Sequence, residues 1–596
     1  MPESPMMDST EVLRLSLYAN GAEIDDAIQV RSVSVTQVIN KIPYAKIVLL
    51  DGDLPNQDFP LSNDDDFKPG SVIKIDAGYG DSVDTIFEGI IVKQGIKFSS
   101  GNDSNLILEC RDKAVAMTIG RRNANYVDNT DGDIISTLIS NHSGLSADVD
   151  STSTQHAELV QYYCSDWDFM LSRAEANGLL VCIDAAKVSV KAPDTSAAAE
   201  LKVSYGYDLI ELNADMDARS QLSEVTTVSW DPAQQAIVEQ QAGPQTLNKQ
   251  GDLDASTLAE VVGLDSFRLQ TPGLLDLSAL TDWANSQQLK AGLARIRGSM
   301  KFQGSASAKI GGLIELSGVG EHFNGNVFVS GVTHRIDNGT WVTETDFGMS
   351  PDWFAEQRDL VAPSASGLLP GVEGLQIGVV MKLDEDPNSE NRIQVSVPVL
   401  QAETEGVWAR LANFHASSDI GAFFIPEIGD EVVLGYLNND PCNPVILGSL
   451  YSSSRQPPYA PTADNFIKAI VTRSELKIEF DDENMVTTII TPGENKIVLS
   501  DDDTSILIQD QNDNKIELNA SGITLDSPKD INISAKGKIN IDAMDAITIS
   551  SKADVSVSGL NVEHSADVGF TAKGNASAEL SASGNTTVKG AMVMIN

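Results

Sequence analysis

Basic residues are scarce in this chain. Its 596 residues hold 41 lysines and arginines against 85 aspartates and glutamates, a net charge of −44. A face that grips phosphates or an anionic membrane needs clustered Lys and Arg. No such cluster occurs, so nucleic acid is disfavoured as a partner, and the charge reads as solubility of a long, exposed assembly. Cysteine is scarce as well. Cys110, Cys164, Cys182 and Cys442 show no C-x-x-C spacing and no nearby histidine to complete a zinc site; they read as buried free thiols. No apolar run approaches the roughly 18 residues of a membrane-spanning helix. The first residues, Met1-Pro-Glu-Ser-Pro-Met-Met7, lack the basic segment and apolar core of a secretory signal. Synthesis in the cytoplasm and exit by another route are expected.

Catalytic signatures are missing too. His142, His156, His322, His334, His415 and His564 are scattered, none within five residues of another, so no zincin-type pair exists. Neither a Gly-x-Ser-x-Gly elbow nor a P-loop is present. Asp510-x-Asn512-x-Asn514 imitates the start of an EF-hand loop, but Lys515 holds the glycine position and Ser521 the bidentate glutamate position. A turn between strands is the better reading. Asp501-Asp502-Asp503 reads as another solvated turn, with a metal shared on a three-fold axis as the alternative. No catalytic, cofactor-binding or metal-binding residue is assigned, and no cofactor is expected.

What the chain does have is a repeat. From Ile523 an apolar-polar-apolar triplet returns every eight residues: Ile523 and Leu525, Ile531 and Ile533, Ile539 and Ile541, Ile547 and Ile549, Val555 and Val557. Residues two apart share one face of a strand, and the Ser, Asp, Lys, Gly and Asn between them form turns. Burying one Ile contributes about 1.5–3 kcal/mol, and each unit offers two such side chains, so a unit cannot stand alone and must stack. With eight residues per unit, one chain covers one face of a prism and three chains close it. Residues 471–596 are therefore read as a three-chain intertwined β-helix, a needle whose trimer core is these ten residues. An ordinary antiparallel domain with accidental periodicity is the alternative. The pattern fades after Phe570 and apolar character returns at Met592, Val593, Met594 and Ile595, before Asn596.

Upstream, residues 11–120 alternate as strands of a small barrel. A helix is predicted over Asp133–Asn141. A second begins at Ser165 in a capping box with Asp168 and places Trp167, Met170, Leu171 and Ala174 on one face. Asp166, Asp168, Arg173 and Glu175 read as cap and solvated-face residues. Thr281 is expected to cap a third helix carrying Leu289, Leu293 and Ile296, with Gly298 beyond its end. Five strands follow: Ile377–Leu383, Ile393–Val399, Val407–Leu411, Glu431–Leu437 and Val445–Leu447. They match an OB-fold barrel in size. The basic, aromatic groove of a nucleic-acid-binding OB fold is absent, with only Lys382, Arg392 and Arg410 present.

The barrel stretch resembles the central-spike OB domain of the VgrG family and phage baseplate assembly protein V. The matching segments are Arg392-Ile-Gln-Val-Ser-Val-Pro398, Trp408-Ala-Arg410, Phe424-Ile-Pro-Glu-Ile-Gly-Asp-Glu-Val432, Gly435-Tyr-Leu-Asn-Asn-Asp-Pro441 and Pro444-Val-Ile-Leu-Gly448. The N-terminal part is similar to the tail-hub half of the same family through Ser165-Asp-Trp-Asp-Phe169, Arg173-Ala-Glu175, Gly178, Gly339-Thr-Trp341 and Phe347-Gly-Met-Ser-Pro-Asp-Trp-Phe354. The expected fold is mainly β: tail-hub β-barrel domains with a few helices, an OB barrel, and the trimeric β-helix. The expected organisation is a tube-adaptor region at 1–357, a linker at 358–374, an OB collar at 375–455, a linker at 456–470 and the needle at 471–596.

The resemblance implies a non-enzymatic, homotrimeric spike of a contractile injection system, released outside the cell as part of a particle. It would seat a hexameric inner tube protein by presenting two related barrels per chain. It would also meet baseplate proteins, effector cargo and, at Met592–Asn596, a PAAR-type tip protein, and touch a target membrane only while puncturing it. Only about fifteen residues separate Tyr451 from Phe466, too few for the lysozyme domain of some phage spikes, and the chain stops without an effector domain. This economy is most like the spikes of extracellular injection systems. The alternatives are a short VgrG of a type VI secretion system and a glycan-degrading tailspike enzyme. The latter needs paired carboxylates and aromatic platforms, whereas residues 471–596 hold no Trp or Tyr and only Phe480 and Phe570.

Overall fold

Alternating aliphatic and polar residues fold the first part of the chain into long strands. The computed structural model describes residues 2–6, 12–100, 103–357, 360–400 and 406–595. They form two compact units, Met1–Ser449 and Leu450–Asn596. In the first, six strands make one lobe: β1 (Leu13–Ala19), β2 (Val30–Val38), β3 (Tyr44–Leu50), β4 (Val72–Tyr79), β5 (Ser82–Ser99) and β6 (Asp103–Arg111). Six more make a second: β7 (Leu201–Ser204), β8 (Leu209–Met216), β9 (Ile296–Gln303), β10 (Leu313–Ser317), β11 (Gly325–Asp337) and β12 (Thr340–Phe347).

The two lobes repeat one topology. The spatial order is β2-β3-β6-β5-β4-β1 in the first and β8-β9-β12-β11-β10-β7 in the second, so strand n corresponds to strand n+6. Two irregularities coincide, while a third, between Ile75 and Asp76 on the β4–β5 pairing, has no counterpart on β10–β11. β5 bulges between Ile91 and Lys93 and β11 between Val329 and Gly331. β2 bulges between Val30 and Ser32 and β8 between Leu209 and Glu211. Such bulges re-aim a strand at a fixed place, and their matched positions align the lobes residue by residue. One pairing differs: β1–β4 is antiparallel, β7–β10 parallel. The first lobe's core lies around Val35, Ile47, Ile75 and Leu108 and takes in Ile336 and Trp341 from β11 and β12; the second lies around Met300, Phe302, Leu316 and Phe347. Strand β11 of the second lobe pairs with β2 of the first and joins them. The internal duplication implied by the resemblance is thus present in the strand order.

Helices lie in the insertions. α1 (Asp131–Ser140) and α2 (Asp166–Ala176) separate the lobes, while α3 (Ala255–Val262) and α4 (Leu277–Leu293) lie between β8 and β9. Thr130 caps α1 in a capping box with Asp133, and Ser165 caps α2 by accepting from the Asp168 amide at 3.0 Å. Three expectations are corrected. Thr281 does not start α4; Asp276 does, and Thr281 donates to the Leu277 carbonyl inside the helix. Ile296 belongs to β9 rather than to the helix, while Gly298 lies beyond the helix end as expected. Asp166 and Glu175 are buried and Arg173 largely so, because they pair with residues distant in sequence. Arg173 grips the buried Asp131 through Nε at 2.6 Å and Nη2 at 2.9 Å, and Lys290 pairs with Glu175. Of the cysteines, Cys110 is buried and its thiol is pushed up to about 12 by burial, but Cys442 is exposed.

A closed five-stranded barrel follows, formed by Gln376–Lys382, Ile393–Ser396, Val407–Leu411, Glu431–Tyr436 and Pro444–Ser449. Val380, Ile393, Val395, Ala409, Val432, Leu434 and Ile446 fill it. Its Asp386–Arg392 ion pair, 2.6 Å, pins the loop between the first two strands and holds the Asp386 carboxyl well below the usual carboxylate range.

The second unit contains an antiparallel meander of seven five-residue strands: Ile467–Val471, Lys477–Asp481, Val486–Ile490, Lys496–Ser500, Ser505–Gln509, Lys515–Asn519 and Gly522–Asp526. From residue 527 to 595 no strand is formed within the chain. The stretch expected to be uniform from 471 onward therefore has two parts, a hairpin ladder and then the octads.

Candidate assembly surfaces

The meander has one apolar face. Residues paired directly opposite each other lie on the same side of a sheet, as do residues two apart. The register runs Ile470–Ile478–Ile489–Ile497–Ile508–Ile516–Leu525 across all seven strands. Beside it runs Phe480–Thr487–Leu499–Ile506–Leu518–Ile523. The opposite face is mixed: Ala469, Glu479, Thr488, Val498, Leu507, Glu517 and Thr524 run along it, with Ile467, Val471, Val486 and Ile490 set among Asp481, Lys477, Ser500 and Lys496. Nothing among the described residues covers the isoleucine ladder: Ile478, Ile489, Ile497, Ile508 and Ile516 stay 37–43% exposed. A continuous apolar sheet face of this extent marks an interaction surface.

The turns explain why the ladder stays in register. Thr472–Leu476, Thr491–Asn495 and Asp510–Asn514 close with the same backbone bonds, first residue to fifth and fourth to first. Their fourth residues, Glu475, Glu494 and Asp513, all take positive φ. The recurrence is every 19 residues, as are Ile470, Ile489 and Ile508. In the last turn the Asp510 carboxylate accepts from the amides of Asn512 and Asn514 and from the Asn514 side chain, each at 2.9 Å. These bonds hold its carboxyl down at about 2. The imitation of a calcium loop is thus a turn whose ligand oxygens are already engaged. Among the described residues no group of three or more His, Cys, Asp or Glu is placed to hold a metal ion.

Of the ten residues assigned to the needle core, Ile523 and Leu525 sit on the last meander strand, opposite Leu518 and Ile516. The other eight lie beyond it and are exposed. Their exposure still repeats: Ile531, Ile539 and Ile547 at 53, 52 and 52%, Ile533, Ile541 and Ile549 at 71, 71 and 76%. Val555 and Val557 continue the alternation at 58 and 67%. Each octad therefore takes the same local path. Within one chain, however, none of the eight, from Ile531 to Val555 and Val557, is buried in a core. The physical reason is that each octad lacks a partner strand and a second layer to pack against. Met592, Val593, Met594 and Ile595 are exposed; Asn596 lies outside the described residues. The residues missed from sequence were the ladder from Ile470 to Ile516, whose spacing alternates between 8 and 11; the 19-residue recurrence was the available signal.

Residues 9–338 match the model of the Alg8 N-terminal domain, and residues 376–451 that of the type VI secretion system/phage-baseplate injector OB domain. Among curated proteins, the type VI secretion system spike protein VgrG3 of Vibrio cholerae is 40% identical over 58 residues, 10% of this chain and 6% of that protein. The spike protein VgrG1a of Pseudomonas aeruginosa is 27% identical over 194 residues, 30% of this chain and 29% of its own. The match thus spans less than a third of these relatives. A solved E. coli component of the type VI secretion system covers 73% of this chain and 99% of its own, with 12% identity and a TM-score of 0.36.

Proposed function

Since the chain belongs to the family of the Alg8 N-terminal domain and is VgrG-like, with the injector OB domain of type VI secretion systems and phage baseplates, we propose that it is the central spike of a contractile injection system and works as a homotrimer. The observation that carries this is the unfinished second unit: a one-faced apolar sheet, then octads with no strand partner in the chain. Three copies placed face to face would bury the ladders against each other and supply the octads with neighbours.

The function is mechanical rather than enzymatic. The duplicated lobes give six related surfaces in three chains, a match for a hexameric tube. The barrel is the collar between hub and needle, and sheath contraction drives the needle through the target envelope. Met592–Asn596 form the platform for a PAAR-type tip. Only Leu450–Phe466 separates the barrel from the meander, leaving no room for an inserted lysozyme domain, and the reading is the spike of a particle released from the cell. Affinity purification of a tagged chain from culture fluid tests this: tube, sheath and baseplate proteins should co-purify in one particle. A tagged chain recovered only from the cytoplasm, free of those proteins, would contradict it.

A further inference from the structure

A cavity of about 610 Å³ lies in the hub between α2, the first turns of α4, the strand Gln155–Cys164 and the segment 353–355. Its size is that of a small-ligand site. Two half-buried indoles, Trp283 and Trp353, line it together with three leucines. Four carboxylates, Asp131, Glu158, Asp276 and Asp282, line it as well, against a single arginine, Arg173.

These charges do not balance. Arg173 is taken up by Asp131, which it grips with two nitrogens, and His156 bonds to the same carboxylate. Among the described residues no cationic side chain pairs with the other three acids. Glu158 accepts from the Asn125 side chain at 2.9 Å. Asp282 accepts from the Thr154 hydroxyl at 3.2 Å. Asp276 holds the N-cap of α4, where a carboxylate ordinarily accepts from first-turn amides, yet it makes no such bond. Burial raises the Asp282 carboxyl above its usual value; the Thr154 hydroxyl opposes the shift and the Asp131 charge adds to it. A carboxylate in a partly desolvated wall is stabilised by an opposite charge.

We propose that this cavity binds an organic cation with an apolar stem, a guanidinium or ammonium group set between Asp276, Asp282 and the two indoles. Indole faces attract such cations, the more so where water is excluded. Trp353 already shows the preference: Lys290 Nζ lies 5.3 Å from its ring centroid, although Lys290 pairs with Glu175 and is not part of the cavity wall. An anion is opposed by the surplus of acids. A neutral sugar would stack on the indoles but would leave those acids without a countercharge. The same cation chemistry is offered by a free guanidine and by an arginine side chain of another protein, and two probes separate these sources.

Isothermal titration calorimetry of the full chain tests the site. Salt at about 0.2 M screens the long-range pull of a chain of net charge −44. Under these conditions n-butylguanidinium should bind once per chain, and n-butylurea, of the same shape but neutral, should not bind. Asp282→Asn and Trp283→Ala should each weaken n-butylguanidinium about tenfold. Trp283→Phe, which keeps a ring, should weaken it less. Glu23→Gln, at an exposed acid of the first lobe, should leave it unchanged. A capped Gly-Arg-Gly peptide that binds at least as tightly identifies a protein side chain as the occupant; weaker binding of the peptide identifies a free cation. Asp282→Asn changes no side-chain volume, so it carries the test if Trp283→Ala misfolds. Failure of n-butylguanidinium to bind, equal affinity for n-butylurea, or binding that neither Asp282→Asn nor a folded Trp283 variant weakens overturns the site. None of these results bears on the spike reading, which stands or falls on the mass of the assembly.

Discussion

At the scale of residues, buried charge and buried imidazole carry the sharpest consequences. Asp131 accepts from Arg173, from His156 at 3.0 Å and from Asn177 at 2.8 Å. Burial pushes its carboxyl up, but the Arg173 guanidinium and these donors together hold it below the usual value. Sequence placed Arg173 on a helix face and stopped there, because its partner is 42 residues away and local periodicity has no access to it. The helix caps were legible at Ser165, since capping is a local bond between residues three apart. His334 is wholly buried in β11, 2.9 Å from the Thr343 hydroxyl, and desolvation lowers its pKa from 6.5 to about 4. The unfolded chain therefore binds the extra proton between those values, and stability present at neutral pH is lost as pH falls through that window. From pH 7.5 to 5.5, above the pI of about 4.3, the hub should lose about 1 kcal/mol through this group, since one pKa unit is about 1.4 kcal/mol. Urea midpoints of wild type and His334→Leu check it: the wild type should weaken over that range relative to the variant. Parallel curves would mean that His334 does not titrate as its burial demands.

At the scale of elements, local pattern read the OB strands to within about three residues of their ends, because each alternates between a core side and a solvent side. The meander escaped that reading. Its apolar pairs recur at 8 and then 11 residues, so a single-period search catches only the octads that follow. What neither part contains is a second layer in the same chain. Replacing Ile539 and Ile541 together by Asp should block needle formation, since an unpaired carboxylate costs several kcal/mol when buried and three-fold symmetry triples it. Lys536 and Lys538 changed together to Asp should be nearly silent. Thermal dissociation followed by gel filtration separates the cases. Equal loss in both double variants would mean that the inward and outward assignment is wrong.

At the scale of the whole molecule, the duplicated hub and the bare ladder point the same way. In the trimer proposed here the apolar sheet would be covered by the other copies, and interwound chains that must unthread to separate would gain kinetic stability as well. The apolar segment at Met592–Ile595 belongs to this scale too. Met592–Ile595 are exposed in the single chain, and in the proposed trimer three copies of this apolar segment, open to water, would invite a partner. Removing residues 592–596 should abolish co-purification of the cognate tip protein while the assembly keeps its mass. Retained tip binding, or collapse of the assembly, would rule out a dedicated platform.

The trimer is the central claim, and its most direct test is the mass of the folded full-length protein in solution. Light scattering coupled to gel filtration should return three times 63.7 kDa, with no shift on dilution. A folded species at 63.7 kDa would contradict the account, because the isoleucine ladder and the octads would then have to remain stable in water uncovered.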